Sequence, residues 1–282
     1  MKRLSAFLTT MMAIGFVYLY APIITLIVYS FNASRLVTVW GGFSTVWYAR
    51  LFENAQVLDA AWLSLRLALM SATAATVLGT MAGIALVRFG PFRGRTLLSG
   101  LISTPLVMPE VLTAVSTLML FLLMAKWIGW PARRGFSTLF VAHVTFCMTY
   151  VTTVITSRLA SMDAAIEEAA MDLGAAPWQV LRDVTLPVIA PAILSGWLLA
   201  FTISLDDVVI TSFTNGPGYN TLPMLVWAKV KLGVTPDINA LGSLIVAVVA
   251  LGVTVSSLVI ARSERRRERE IQAALAGENA RP

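Results

Sequence analysis

Charged side chains in this 282-residue chain are so widely spaced that six stretches of at least 21 residues contain none. They cover 4–34, 67–87, 135–157, 184–205, 208–228 and 238–261. A helix needs about 20 mostly apolar residues to cross the hydrocarbon of a bilayer, so each stretch is a candidate span. The composition agrees, with 57% apolar and 13% charged residues, against about 45–50% and about 25% in soluble domains. An ordinary soluble enzyme is excluded.

The stretch 208–228 contains Asn215-Gly216-Pro217-Gly218-Tyr219-Asn220. Turn formers there would leave backbone groups unpaired in hydrocarbon, so it reads as a loop. A further apolar run, 96–125, is interrupted only by Glu110 with Pro105 and Pro109 nearby, and restores the count to six. The expected architecture is all-α and integral to the membrane, with six transmembrane helices within 1–262 and a charged tail over 263–282. The run after Met1-Lys2-Arg3 far exceeds the 7–15 residues of a signal h-region and reads as an uncleaved first span.

Lys and Arg favour cytoplasmic segments. With both termini cytoplasmic, thirteen fall inside and seven outside, and Arg66 lies at a helix end. Lys126, Arg133 and Arg134, between the third and fourth spans, run against this orientation. The tail interleaves arginines with glutamates, which suits a solvated helix end near headgroups and argues against nucleic acid.

The longest inside loop, 158–187, has its own architecture. Asp163 can cap a short helix, Glu167 and Glu168 sit where the helix dipole favours anions, and Gly174 can end it in the left-handed conformation. Ile166, Ala169, Ala170 and Leu173 share a face, with Glu168, Met171 and Asp172 turned away. Pro177 suits the first turn of a second helix, and Pro187 is expected to stop it where the chain re-enters the membrane. Helices lying on lipid favour Lys and Arg on their polar face, so this acidic one fits a protein partner better than a bilayer surface, with a solvated loop as the alternative.

Glu168-Ala169-Ala170, three residues, Gly174, nine residues and Val184-Thr185-Leu186-Pro187 resemble the EAA loop of permease subunits in binding-protein-dependent ABC importers. Only Val184 departs, where the family usually has Ile. The runs 36–40, 105–110, 143–147, 167–174 and 204–207 are similar to the polyamine-importing members, the bacterial putrescine importer foremost. The resemblance implies a type I ABC importer permease fold in the bacterial inner membrane. It also implies pairing with a second permease subunit, two copies of a cytoplasmic ATP-binding subunit, and a periplasmic polyamine-binding protein that delivers putrescine or a relative. Glu167, Glu168, Ala169, Ala170, Asp172, Gly174, Leu186 and Pro187 would belong to the loop that couples to the ATPase. No phosphate-binding loop of the Gly-x-x-x-x-Gly-Lys-Ser/Thr type occurs in the chain, so no cofactor is expected here and ATP would be used by the partner.

Ionisable groups at membrane depth are costly and functional by default. Glu110 lies mid-run after Pro109, and Asp206 and Asp207 fall near the outer end of the fifth span. Carboxylates suit the amines of an extended cation, and Trp197, Tyr219 and Trp227 are candidates for cation–π contacts. Two structural readings compete: Glu110 pairing with a helix-end arginine such as Arg66 or with the partner permease, and Asp207 capping the next turn. His143 and Cys147, one turn apart, invite a metal reading, but two ligands are too few, and core packing is expected. Trp40, Trp47, Trp127 and Trp130 fit an aromatic belt. Gly79 and Gly83 form a Gly-x-x-x-Gly that serves either the core or a partner. A gradient-driven carrier using Glu110 and Asp206 is the alternative function, although no internal repeat of the kind such carriers carry is visible. An intramembrane enzyme lacks catalytic candidates.

Overall fold

The computed structural model describes residues 2–36, 39–233, 235–251 and 254. Its helices are α1 (Lys2–Ser30), α2 (Val46–Glu53), α3 (Ala55–Arg88), α4 (Arg95–Val107), α5 (Glu110–Ile128), α6 (Phe136–Ser161), α7 (Ala165–Asp172), α8 (Pro177–Val180), α9 (Leu186–Asp206), α10 (Val209–Thr214), α11 (Leu222–Leu232) and α12 (Pro236–Leu251). A π-helical turn, Leu181–Thr185, joins α8 to α9. Five segments among the described residues are long and apolar enough to span: Ala6–Ser30, Ala55–Arg88, Glu110–Ile128, Phe136–Ser161 and Pro177–Asp206. The sixth expected span is described only as α12, and its remainder, like the tail 263–282, lies outside the described residues. The chain divides into two compact units, 1–54 with 229–282, and 55–228.

In the unit 55–228, α3, α6 and α9 form the centre. α3 turns a stripe of small residues, Ala68, Ala72, Ala75, Gly79 and Gly83, to the interior. A Cβ on Gly79 would stand 2.8 Å from the Val151 side chain of α6, and one on Gly83 2.8 Å from Ile155. The glycine pair therefore serves internal packing, which answers the choice left open by its sequence. With no hydrophobic drive between helices in lipid, close backbone approach of this kind supplies dispersion contact in its place. Ile155, Leu159 and Ile189 complete the core. Beside it, α5 and α10 pack on α6 through Ala114, Phe121, Ala142, Phe146 and Ile210.

In the other unit, Asn32 organises the turn after α1. Its side-chain oxygen accepts the N–H groups of Ser34 and Gly41, at 3.1 and 2.7 Å, while its amide donates to Val39 O at 2.8 Å. The Trp47 indole N–H donates to Asn32 O at 2.7 Å and the residue is 7% exposed. Trp47 is thus a core residue and not an interface anchor, because its one donor has found a buried carbonyl. Trp127, 81% exposed, keeps the surface position that the anchoring role requires.

Three boundaries differ from those read off the charges. The second span begins at Ala55, well before Arg66, because Arg66 stays on the helix by placing its guanidinium 4.7 Å from the Phe136 ring centroid. The run 96–125 is two helices and not one: Met108 precedes a proline, which disfavours the helical region, and takes an extended ψ of 141°. Pro187 does not stop a helix. The chain from α8 runs through the π turn into α9 without a break, although a proline lacks an N–H and crowds the carbonyl four residues back. Widening to the π spacing, with the Leu186 N–H reaching Leu181 O, accommodates both. The stretch 208–228 does not span, as expected, but it is more ordered than a loop, holding α10 and part of α11 around the turn.

Candidate functional site

Pro109 starts α5, so Glu110 falls in its first turn, where the helix dipole favours an acid. Glu110 is therefore at a helix start and not in mid-span. Asp206 ends α9, and Asp207 follows in extended conformation before α10 begins. The break between α4 and α5 and the break between α9 and α10 meet. Glu110, Asp206 and Asp207 line one cavity of about 340 Å³, together with Phe146, Tyr150, Ile203, Val208 and Val209. Irregular backbone in a membrane protein is tolerated where it lines a cavity.

The three acids are not equivalent. Asp207 is buried and caps α10: its carboxylate accepts the N–H groups of Ile210 and Thr211, at 3.1 and 2.7 Å, and the Thr211 hydroxyl at 2.7 Å. His143 stands behind it, Nε2 3.5 Å from Asp207 Oδ2 and 3.1 Å from Thr211 Oγ1, with Nδ1 2.7 Å from Ser204 Oγ. This knot ties α6, α9 and α10 together and fixes the rear wall of the cavity. Cys147 lies on the same helix with its thiol 3.5 Å from Ala200 O. His143 and Cys147 each have partners in the core, and no cluster of metal-binding side chains occurs among the described residues. Glu110 and Asp206 are exposed toward the cavity. Arg66 is engaged with the Phe136 ring and not with Glu110.

None of the three aromatic candidates joins the acids. The Trp197 indole donates to Thr73 Oγ1 at 3.1 Å and stacks on Phe201. Tyr219 packs over Gly135 beside Arg133 and Arg134, and Trp227 lies on α11, 53% exposed. The aromatics at the cavity are Phe146 and Tyr150, edge to face at 5.3 Å between centroids. Their spacing from His143, three and seven residues on, marks one face of a helix, and that signal is present in the sequence.

At the far end of α9, roughly 30 Å away for 21 residues, stands the EAA-like loop. Asp163 accepts the Ala165 N–H at 3.0 Å at the start of α7. Gly174 ends the helix at φ +92°, and the Ala175 N–H returns to Ala170 O at 3.1 Å. Pro177 opens α8, where the Gln179 side chain accepts the Ala176 N–H at 2.7 Å. The apolar face of α7 is not buried: Ile166 is 47% and Leu173 91% exposed. Glu168 and Asp172 are exposed as well. The residue turned inward is Glu167, whose carboxylate meets Arg88 Nε at 2.7 Å and accepts the Thr185 hydroxyl at 2.6 Å. A ledge that is both acidic and apolar thus projects from a tethered base. Leu186 and Pro187 form the first turn of α9 next to it.

Comparison with known proteins agrees with this arrangement. Residues 75–269 match the family described as binding-protein-dependent transport system inner membrane component. The chain is 54% identical over 264 residues, 94% of each chain, to the putrescine transport system permease protein PotI of Escherichia coli strain K12. It is 45% identical over 251 residues, 89% of this chain and 95% of the relative, to the spermidine/putrescine transport system permease protein PotC of Haemophilus influenzae. Among solved structures, a chain of a bacterial ABC transporter involved in the import of the acidic polysaccharide alginate superposes with TM-score 0.69 and 16% identity, covering 92% of this chain and 95% of that one. That likeness bears on fold alone, and it is the importer-permease fold expected from the EAA-like loop. The chain therefore belongs to the inner-membrane components of binding-protein-dependent transport systems.

Proposed function

We propose that this chain is one permease subunit of an ATP-driven importer that moves a small polyamine, putrescine foremost, by alternating access. The observation that carries the reading is the convergence of Glu110, Asp206 and Asp207 on one cavity with Phe146 and Tyr150. An extended diamine needs anionic partners for its ammonium ends and tolerates aromatic faces along its length. Relatives named for putrescine and spermidine support the same substrate class.

Both termini face the cytoplasm in this proposal. A second permease shares the pathway, and a periplasmic binding protein delivers cargo to the end of α9 that carries Asp206. Two copies of an ATP-binding subunit dock on the ledge of α7, with Glu168, Ala169, Ala170, Asp172 and Gly174 as its contact residues and Leu186 and Pro187 behind them. Closure of the ATPase pair moves α7, and the helices switch the face to which the cavity opens. A ligand shifts such an equilibrium only by its differential affinity for the two states, so the cavity needs to hold cargo only weakly.

Charge reversal at Glu168, or Gly174→Val, is expected to abolish uptake and stimulated ATP hydrolysis while leaving membrane insertion intact. A valine at φ +92° is strained, and the end of α7 would shift. Wild-type transport in both variants would refute the docking role. Uptake that survives ATP depletion with the ion gradients clamped would instead favour a gradient-driven carrier.

A further inference from the structure

Glu167 stands next to the acid that matches the EAA pattern, yet it points the other way. Its side chain is 12% exposed, and its two carboxylate oxygens go to two different elements: Oε2 to Arg88 at the end of α3, and Oε1 to the Thr185 hydroxyl in the π turn that leads into α9. The Arg88 contact is an ion pair approached off the N–H axis, and Arg88 Nη2 is enclosed without a hydrogen-bond partner among the described residues. A guanidinium carries five donors in a fixed fork, so this one retains a donor for a second arrangement. α3 and α9 are two of the three central helices, and α9 ends at the acid-lined cavity.

We propose that Glu167 is a positioning residue that transmits movement of α7 to α3 and α9, and that it is not itself a contact for the ATPase subunit. The inference rests on the transport reading above. A displacement of α7 pulls on both helices through one carboxylate. The route to the cavity then runs from Glu167 through Thr185 and along α9 to Asp206. Removing the tether leaves the exposed ledge of Ile166, Glu168 and Leu173 in place for docking but disconnects it from the pathway.

The test uses the full complex with its partner permease, ATPase subunits and binding protein in vesicles, with radiolabelled putrescine as the probe. Three quantities are read: ATPase subunits retained on purification, ATP hydrolysed, and putrescine taken up per ATP. Glu167→Gln is expected to retain the ATPase subunits and continue hydrolysis, with uptake per ATP falling about tenfold, a coupling change of ordinary size. Arg88→Glu should behave alike, and the exchange Arg88→Glu with Glu167→Arg should recover coupling. Because a half-broken buried pair can prevent folding, Thr185→Val serves as the milder variant, removing one hydroxyl at constant shape and keeping the ion pair. It should lower uptake per ATP by a smaller factor.

Loss of the ATPase subunits from Glu167→Gln would overturn the proposal in favour of docking. Wild-type uptake per ATP in Glu167→Gln and Thr185→Val would overturn it outright. Failure of the wild-type complex to take up putrescine would instead refute the transport reading, so the two failures are distinguishable.

Discussion

Asp207 uses both carboxylate oxygens on the first turn of α10 and is backed by His143, while Asp206, one residue earlier, faces the cavity. In the proposed mechanism Asp206 is therefore the member of the pair free to meet cargo, while Asp207 holds the wall. Asp207→Asn replaces one accepting oxygen with a donor facing N–H and O–H groups, and a buried donor left unmatched costs about 1–3 kcal/mol. It should lower the unfolding temperature in detergent, followed by tryptophan fluorescence. Asp206→Asn should leave that temperature unchanged and reduce diamine uptake about tenfold, the loss of one charge-assisted contact. His143→Leu should resemble Asp207→Asn, since it takes the Ser204 hydroxyl's partner away and removes the imidazole behind Asp207 and Thr211. In the sequence, all three acids stand out as charges in apolar surroundings. That Asp207 caps the next turn is one of the readings its sequence leaves open, and its local contacts with Ile210 and Thr211 decide it. Residue type and helix register point to different aromatics: Trp197, Tyr219 and Trp227 are candidates by type, whereas Phe146 and Tyr150, which line the cavity, are marked by their register with His143 on α6.

Among the elements, α3 carries the clearest packing consequence. Val151 and Ile155 lie 2.8 Å from the Cβ positions of Gly79 and Gly83, so Gly79→Val forces α3 and α6 apart. Overpacking of this kind costs about 1–3 kcal/mol, and the yield of folded protein and its melting temperature should both drop. Gly15→Val, at a glycine with open space around it, is the control and should be close to neutral. Gly216 is a second close approach, with Arg134 O standing where a Cβ would go. The existence of the helices is legible in the sequence, because uncharged runs of this length can satisfy their backbone in lipid only as helices when no strand pattern is present. Helix ends are less so. The charge at Arg66 suggests a boundary, yet a ring in another helix supports it within α3. Pro187 suggests a stop, yet a π turn absorbs it. Both compensations come from geometry that a linear pattern does not carry. For α7, the start, the glycine end and the shared apolar face all follow from the sequence. That this face stays open, and that Glu167 supplies the inward contact, do not, since both depend on where α3 and the π turn lie.

At the scale of the whole molecule, the two sites of the proposed mechanism occupy the two ends of one helix: an acid-lined cavity where α9 stops, and a tethered ledge where it begins. The family and its fold are legible from the EAA-like spacing and the uncharged runs, since both are local patterns. The convergence of Glu110 with Asp206 and Asp207 is not, because it depends on two helix breaks nearly a hundred residues apart coming together. In the proposed mechanism, cationic cargo at one end drives hydrolysis through the other. The most direct test reconstitutes the complex with its binding protein and compares putrescine, spermidine and a neutral solute of similar length as stimulants of ATP hydrolysis. Stimulation by the amines and none by the neutral solute is the predicted result. Equal stimulation by all three would contradict the mechanism.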